Sequence, residues 1–189
     1  MPLRRPNIIY ILADDMGYGD MGHNNPDSKI PTPNLDSLAA QGMRFADAHA
    51  PSSVCTPSRY ALLTGRFCWR TPLKKGVLWP WDPPLIEPDR LTVPGLLRRN
   101  GYRTASFGKW HLGNANENNQ MASDSLPLAH GFDEWIGTNV SHDYDDAKLL
   151  KSDPRGNQPV IGYTELANHL PTNVQASEQL TGLSSDDLD

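Results

Sequence analysis

The segment Asn7-Ile8-Ile9-Tyr10-Ile11-Leu12-Ala13 is a nearly unbroken apolar run rich in β-branched residues. That pattern predicts a strand buried on both faces, and hence a central strand of a parallel sheet. It stops abruptly at Asp14 and Asp15. Helical spacing follows, because Leu35, Leu38 and Ala39 recur after Thr32-Pro33 and end at Gly42, giving an N-cap, a first-turn proline and a glycine stop. Residues 43–48 are read as the next strand and residues 57–64 as a helix closed by Gly65. Residues 92–99 repeat the helix logic with Asn100-Gly101 as their stop, and residues 102–107 and 131–137 read as further strands. The alternation of types predicts an α/β fold. No internal repeat is visible, and residues after 137 are polar, acidic and without clear periodicity.

Composition sharpens this picture in places. A chain of 189 residues, 38% hydrophobic, is long enough for one sizeable core or for part of a larger one. With 15 Gly and 17 Pro, much of it must lie in turns and loops. Residues 67–90 hold five prolines and three of the five tryptophans, which resists both helix and central strand. This stretch is expected to be an ordered surface loop, a connector with a few aromatic anchors in preference to an active-site lid. The apolar run at residues 8–13 is far too short for a membrane-spanning helix, so no membrane span is expected. Nor does it resemble a signal peptide. Net charge is −5, but residues 1–120 carry 14 basic and 10 acidic groups, and the remainder 3 and 12. A net-acidic chain lacks the footprint of a nucleic-acid binder, while its mildly basic first part suits a small anionic substrate.

Chemistry concentrates at three places. Asp14 and Asp15 stand where the first predicted strand ends, the position at which ligands collect in open α/β sheets. Their hard oxygens suit Ca²⁺ or Mg²⁺ better than Zn²⁺. Neighbouring strand residues point to opposite faces, so one ion can be shared only if the backbone turns there, as Gly17 and Gly19 would allow. Otherwise the pair is a solvated turn. In Cys55-Thr56-Pro57-Ser58-Arg59 a thiol begins a helix, where unpaired N–H groups and the dipole stabilise an anion, and Arg59 adds a fixed positive charge one turn on. Cys55 is thus a candidate nucleophile or, equally, a structural thiol. Lys109 and His111 follow the strand at residues 102–107, and residues two apart in an extended chain face the same side. The remaining histidines, His23, His49, His130 and His169, read as turn or surface residues, Cys68 as a packed thiol, and Trp110 as packing beneath its motif.

The pentapeptide beginning at Cys55, continued by Thr64-Gly65-Arg66, resembles the C-x-P-S-R signature of type I sulfatases. The segment from Asn7 to Asp15, with Gly17, Tyr18, Gly19 and Asp20, is similar to that family's first strand and metal loop. Gly108-Lys109-Trp110-His111-Leu112-Gly113 is similar to its second motif. Ser141-His142-Asp143 also resembles a family segment, with no role assigned. The resemblance implies an alkaline-phosphatase-like sandwich, a mostly parallel central sheet flanked by helices, incomplete in this chain. Residues 1–189 would be the N-terminal part of the catalytic domain, lacking the C-terminal strands and subdomain.

The resemblance further implies that Cys55 is converted by a formylglycine-generating maturation enzyme to formylglycine (3-oxoalanine). One hydroxyl of the hydrated aldehyde would attack the sulfur of a sulfate monoester and expel the alcohol. Deprotonating the other would expel sulfate and restore the aldehyde. Asp14, Asp15 and an oxygen of modified Cys55 would hold Ca²⁺, with Mg²⁺ possible. Arg59 would hold the formylglycine oxygen, Lys109 the sulfate oxygens and His111 a formylglycine hydroxyl. The substrate would be a small-molecule or carbohydrate sulfate ester, and the setting periplasmic, secreted or lysosomal. The family's downstream acidic pair, histidine and lysine have no counterpart in residues 114–189. This chain alone is expected to show weak or no activity even where its parent is an active sulfatase. The rival expectations are a phosphonate or phosphate monoester hydrolase of the same superfamily, and an inactive fragment with at most a binding role.

Overall fold

A computed structural model describes residues 5–113, 123–141 and 149–151. The chain divides into two compact units, Met1–Ala50 and Pro51–Asp189.

In the first unit, residues 7–13 do not form a strand, contrary to the apolar pattern, and Ile9 and Ile11 are 86% and 73% exposed. An apolar run supplies two faces for burial, but a parallel strand exists only with a hydrogen-bonded neighbour, and none of the described residues provides one. Residues 43–48 fail as a strand for the same reason, leaving Met43 and Phe45 exposed. The expected helix does form, as α1 (Pro33–Gln41), with Pro33 in its first turn. Thr32 ties the unit together: its hydroxyl donates to Asp36 Oδ1 at 2.9 Å and accepts from the Gly22 amide at 2.8 Å. Asp36 Oδ1 also accepts from the His23 amide at 2.8 Å. A side chain at Gly22 would run into this carboxylate, 2.7 Å from where its Cβ would lie.

The second unit holds α2 (Cys55–Thr64), α3 (Val93–Arg99) and a three-stranded sheet of β1 (Ala105–Phe107), β2 (Glu134–Thr138) and β3 (Leu149–Lys151). β1 and β2 run parallel, with Ser106 opposite Trp135, and β3 is antiparallel to β2. Helix α2 ends where Gly65 adopts a left-handed φ of 65° and its N–H bonds to the Ala61 carbonyl, the stop that the sequence predicts. Helix α3 begins with the Thr92 hydroxyl accepting from the Gly95 amide. β3 was not expected, because nothing in its short sequence distinguishes it from the polar tail. The overall class is α/β, as expected.

One cluster forms the core: Tyr60, Cys68, Leu78, Leu85, Ile86, Trp110, Leu112, Leu126 and Trp135. Residues 67–90 are largely irregular, as predicted, with a 3-10 turn at Cys68–Arg70. Their anchors, however, are aliphatic. Leu78, Leu85 and Ile86 are buried while Trp69, Trp79 and Trp81 stay exposed. A second tether is polar, since Glu87 accepts from Tyr60 Oη (3.2 Å), Arg66 (2.6 Å) and Arg90 (3.2 Å). The Arg90 guanidinium foremost, with the Glu87 backbone amide and the Tyr60 hydroxyl, pulls the Glu87 carboxyl down to about 2.

Candidate active site

Past its last residue, β1 continues as an irregular edge on β2: Gly108, Trp110 and His111 donate their amides to the carbonyls of Ile136, Thr138 and Asn139. Gly137 is required here, because a Cβ at that position would collide with the Gly108 backbone. This continuation carries Lys109 to the start of α2. There Lys109 Nζ lies 3.2 Å from Cys55 Sγ, and the Arg59 guanidinium donates to the Lys109 carbonyl. Since residues i and i+4 share one face of a helix, Cys55 and Arg59 grip the same residue from successive turns of α2. The structure therefore gathers a half-buried thiol, an ammonium and a guanidinium at one helix N-terminus.

His111 is placed differently from the extended-chain expectation. Its φ of 55° lies in the left-handed region, so the rule that residues two apart face the same side does not govern the pair. Thr56 Oγ1, donating to the His111 carbonyl at 3.0 Å, and the amide bond to Asn139 at 2.9 Å hold this costly conformation. The ring is buried, and its Nε2 lies 2.8 Å from the Leu78 carbonyl. A carbonyl can only accept, so Nε2 carries the proton and Nδ1 is the basic nitrogen of the neutral ring.

Two residues of this arrangement escape sequence reasoning. Thr56 is fully buried, and its hydroxyl also accepts from the Leu78 amide at 3.2 Å. Leu78 is thus clamped by its N–H to Thr56 and by its C=O to His111. No periodic pattern announces a pairing between residues 22 positions apart.

The Sulfatase family model matches residues 6–178. The chain belongs to the sulfatase family. It is 46% identical to arylsulfatase A of Bos taurus over 150 residues, covering 79% of this chain and 28% of that protein. It is 38% identical to arylsulfatase G of Canis lupus familiaris, covering 96% of this chain and 35% of the relative. Among solved structures, a Bacteroides thetaiotaomicron protein connected with the metabolism of multiple glycosaminoglycans superposes with a TM-score of 0.69 at 33% identity, covering 81% of this chain and 33% of that one. A sulfatase of Pseudoalteromonas sp. gives 0.64 at 30% identity, covering 82% and 35%. The chain thus spans about a third of the length of the relatives it matches. Family membership carries with it the alkaline-phosphatase-like fold, and the formylglycine mechanism and metal use are general to sulfatases.

Asp14 and Asp15 belong to the first unit, where the backbone turns at the two residues and both are exposed. A turn meets the condition for adjacent carboxylates to share an ion, and their oxygens suit a hard divalent cation. Two carboxylates are fewer donors than Ca²⁺ takes, and among the described residues no group of three or more His, Cys, Asp or Glu could hold a metal. By themselves the two carboxylates are an incomplete shell for such an ion.

Other candidates sort as follows. Trp110 is buried, its indole N–H donating to the Ser125 carbonyl at 2.8 Å, as its packing role predicts. His130 departs from the surface reading: it is buried and stacked on Trp110 at 5.6 Å, because the turn at Pro127–His130 folds it under that indole, and burial pushes its pKa down. Burial likewise raises the Cys68 thiol pKa, in keeping with a packed residue. His23 and His49 are exposed. Ser141 is buried, while His142, Asp143 and His169 lie outside the described residues. No helix among the described residues is long and apolar enough to cross a membrane.

Proposed function

We propose that this chain supplies the nucleophile-bearing, N-terminal part of a sulfatase catalytic domain that hydrolyses a sulfate monoester through formylglycine made from Cys55. The observation that carries this reading is the placement of Lys109 Nζ 3.2 Å from Cys55 Sγ at the first turn of a helix, within a C-x-P-S-R pentapeptide. A sulfate group leaves a tetrahedral array of anionic oxygens beside the nucleophile, and a compact ammonium at that distance is suited to them. Arg59 fixes the lysine through its backbone carbonyl and keeps a permanent positive charge one turn from residue 55. The sulfatase resemblance gives His111 a formylglycine hydroxyl as its partner, and with its Nε2 proton committed to the Leu78 carbonyl, Nδ1 would be the atom to accept a proton there.

Asp14 and Asp15 would hold a divalent cation, Ca²⁺ in preference to Mg²⁺. Such an ion supplies Lewis acidity toward sulfate oxygens and lowers the pKa of a bound hydroxyl. The substrate is a small-molecule or carbohydrate sulfate ester, in line with relatives named arylsulfatases and with a structural relative tied to glycosaminoglycan metabolism.

The test is direct. The protein is produced with a formylglycine-generating enzyme and digested with trypsin, and peptide 45–59 is weighed. Replacement of the Cys55 sulfur by an aldehyde oxygen is expected; an intact thiol throughout overturns the reading. With the full-length matured protein, faster turnover of an aryl sulfate than of an aryl phosphonate separates a sulfatase from a phosphonate hydrolase.

A further inference from the structure

Thr56 and Thr71 are both buried, and each uses its hydroxyl as donor and as acceptor, but to different ends. Thr71 donates to the Cys68 carbonyl at 2.7 Å and accepts from the Leu73 amide at 3.1 Å, closing a turn within its own loop. Thr56 donates to the His111 carbonyl at 3.0 Å and accepts from the Leu78 amide at 3.2 Å, reaching 55 positions along the chain in one bond and 22 in the other. The Leu78 carbonyl in turn accepts from His111 Nε2 at 2.8 Å. These three bonds close a circuit in which one hydroxyl holds the His111 main chain directly and its imidazole through Leu78. Thr56, Leu78 and His111 are all buried, so bulk water does not make good a bond lost from the circuit.

We propose that Thr56 is the positioning residue for His111, its hydroxyl setting where the histidine ring stands relative to the nucleophile at position 55. The proposal rests on the sulfatase reading of Cys55 and His111 and adds a residue to the machinery of that reaction. Successive residues of a helix point about 100° apart, so Thr56 turns into the core while Cys55 stays half-buried at the site. One peptide bond therefore separates the reacting side chain from the hydroxyl that holds its partner, and a displacement of the first turn of α2 carries both. The left-handed φ of 55° at His111 makes such a restraint necessary, because a residue with a Cβ leaves that region unless its surroundings fix it. Thr56 holds the carbonyl side, and the Asn139 carbonyl, accepting from the His111 amide at 2.9 Å, holds the other. Valine, equal in shape to threonine but without the hydroxyl, would remove both bonds of Thr56; serine would keep both.

The test compares Thr56→Val, Thr56→Ser and Thr71→Val in the full-length matured protein, with the aldehyde at residue 55 quantified by peptide mass and rates expressed per aldehyde. Thr56→Val is expected to lower kcat for an aryl sulfate about 10²-fold, the cost of misplacing a reacting group by about 1 Å, with KM within about twofold because a fully buried residue touches no substrate. Thr56→Ser should restore most of the loss. Thr71→Val, which gives up an equivalent pair of bonds, should lose comparable stability in urea and leave kcat unchanged. Nitrogen NMR of the protein carrying isotope-labelled histidine, at alkaline pH, supplies a second readout, with His111 assigned from the signal that His111→Gln lacks. The ring proton should sit on Nε2 in the parent and in Thr56→Ser, and be shared between the two nitrogens in Thr56→Val. A parent-like kcat or an unchanged tautomer in Thr56→Val, or an equal loss of kcat in Thr71→Val, overturns the positioning role and leaves the sulfatase reading intact. Should Thr56→Val not fold, Thr56→Ala takes its place under the same criteria, and a parent ring protonated on Nδ1 overturns the role by itself. Failure of the parent to turn over the aryl sulfate, or a kcat indifferent to His111→Gln, overturns the sulfatase reading and the positioning role with it.

Discussion

Two segments carry the expected chemistry, and they are built in opposite ways. Asp14 and Asp15 follow an apolar run that has no ladder partner among the described residues and leaves Ile9 and Ile11 facing solvent. Lys109 follows a strand of ordinary appearance that pairs with β2 and is carried past its end by three further backbone bonds. The sequence signal is the stronger in the first case and the structure firmer in the second. Hydrophobic pattern measures what a segment could bury; a hydrogen-bonded neighbour decides whether it becomes a strand.

The largest effect expected from this contrast lies at Gly137. Its Cβ would meet the Gly108 backbone, which has no rotamer by which to yield. Gly137→Ala should destabilise the second unit by about 4 kcal/mol, above the usual range for overpacking because both sides are main chain. Urea unfolding followed by Trp110 and Trp135 fluorescence would show it, and a midpoint within error of the parent would mean that the strand continuation is not held as described.

Next in size is the charge that this continuation delivers. Lys109→Ala in the matured protein should lower kcat/KM for a sulfate ester roughly 10²–10³-fold, the effect of removing one preorganised donor to developing negative charge. Arg59→Lys should not be harmless, because its planar guanidinium reaches the Lys109 carbonyl from the next helical turn and an ammonium lacks that fork. Steady-state kinetics on both variants, with circular dichroism to verify folding, decides the matter.

What was legible in the sequence follows the range of the forces involved. Helices α2 and α3 could be read because their ends are local: Gly65 takes φ of 65° and Thr92 caps the Gly95 amide three residues on. The grouping of Cys55 with Arg59 was readable from helix spacing, and Lys109 from its place after a strand. Thr56, Leu78 and Glu87 were not. Each acts on residues 21 to 55 positions away, through a hydroxyl, two backbone groups and a carboxylate that no local pattern distinguishes from solvated ones. Burial of His130 was missed for the same reason, since only the fold supplies Trp110 as its stacking partner.

Glu87 offers a smaller, pH-dependent effect. Its folded pKa of about 2 lies below the ordinary carboxylate value, so its contribution to stability is present above that ordinary value and is lost as pH falls toward 2. The parent should therefore melt above Glu87→Gln at neutral pH, with the gap closing between pH 4.5 and about 2. Because the Glu87 side chain is 43% exposed, solvent screens the ion pairs and the neutral-pH gap should be modest. A gap that stays constant across that window would show that the ion pair of Glu87 with Arg90 contributes nothing to stability.

The smallest effect tests the other side of the comparison. At 86% exposure Ile9 contributes little burial, so Ile9→Thr should shift the stability of this chain by no more than about 0.5 kcal/mol, as substitutions on open surface do. The same change in a strand buried on both faces would remove a packed side chain and leave a hydroxyl without a partner, a cost of about 2 kcal/mol or more. Urea denaturation of the two forms therefore discriminates between an apolar run that awaits a ladder and one that already has it, and it does so at a residue with no part in the chemistry.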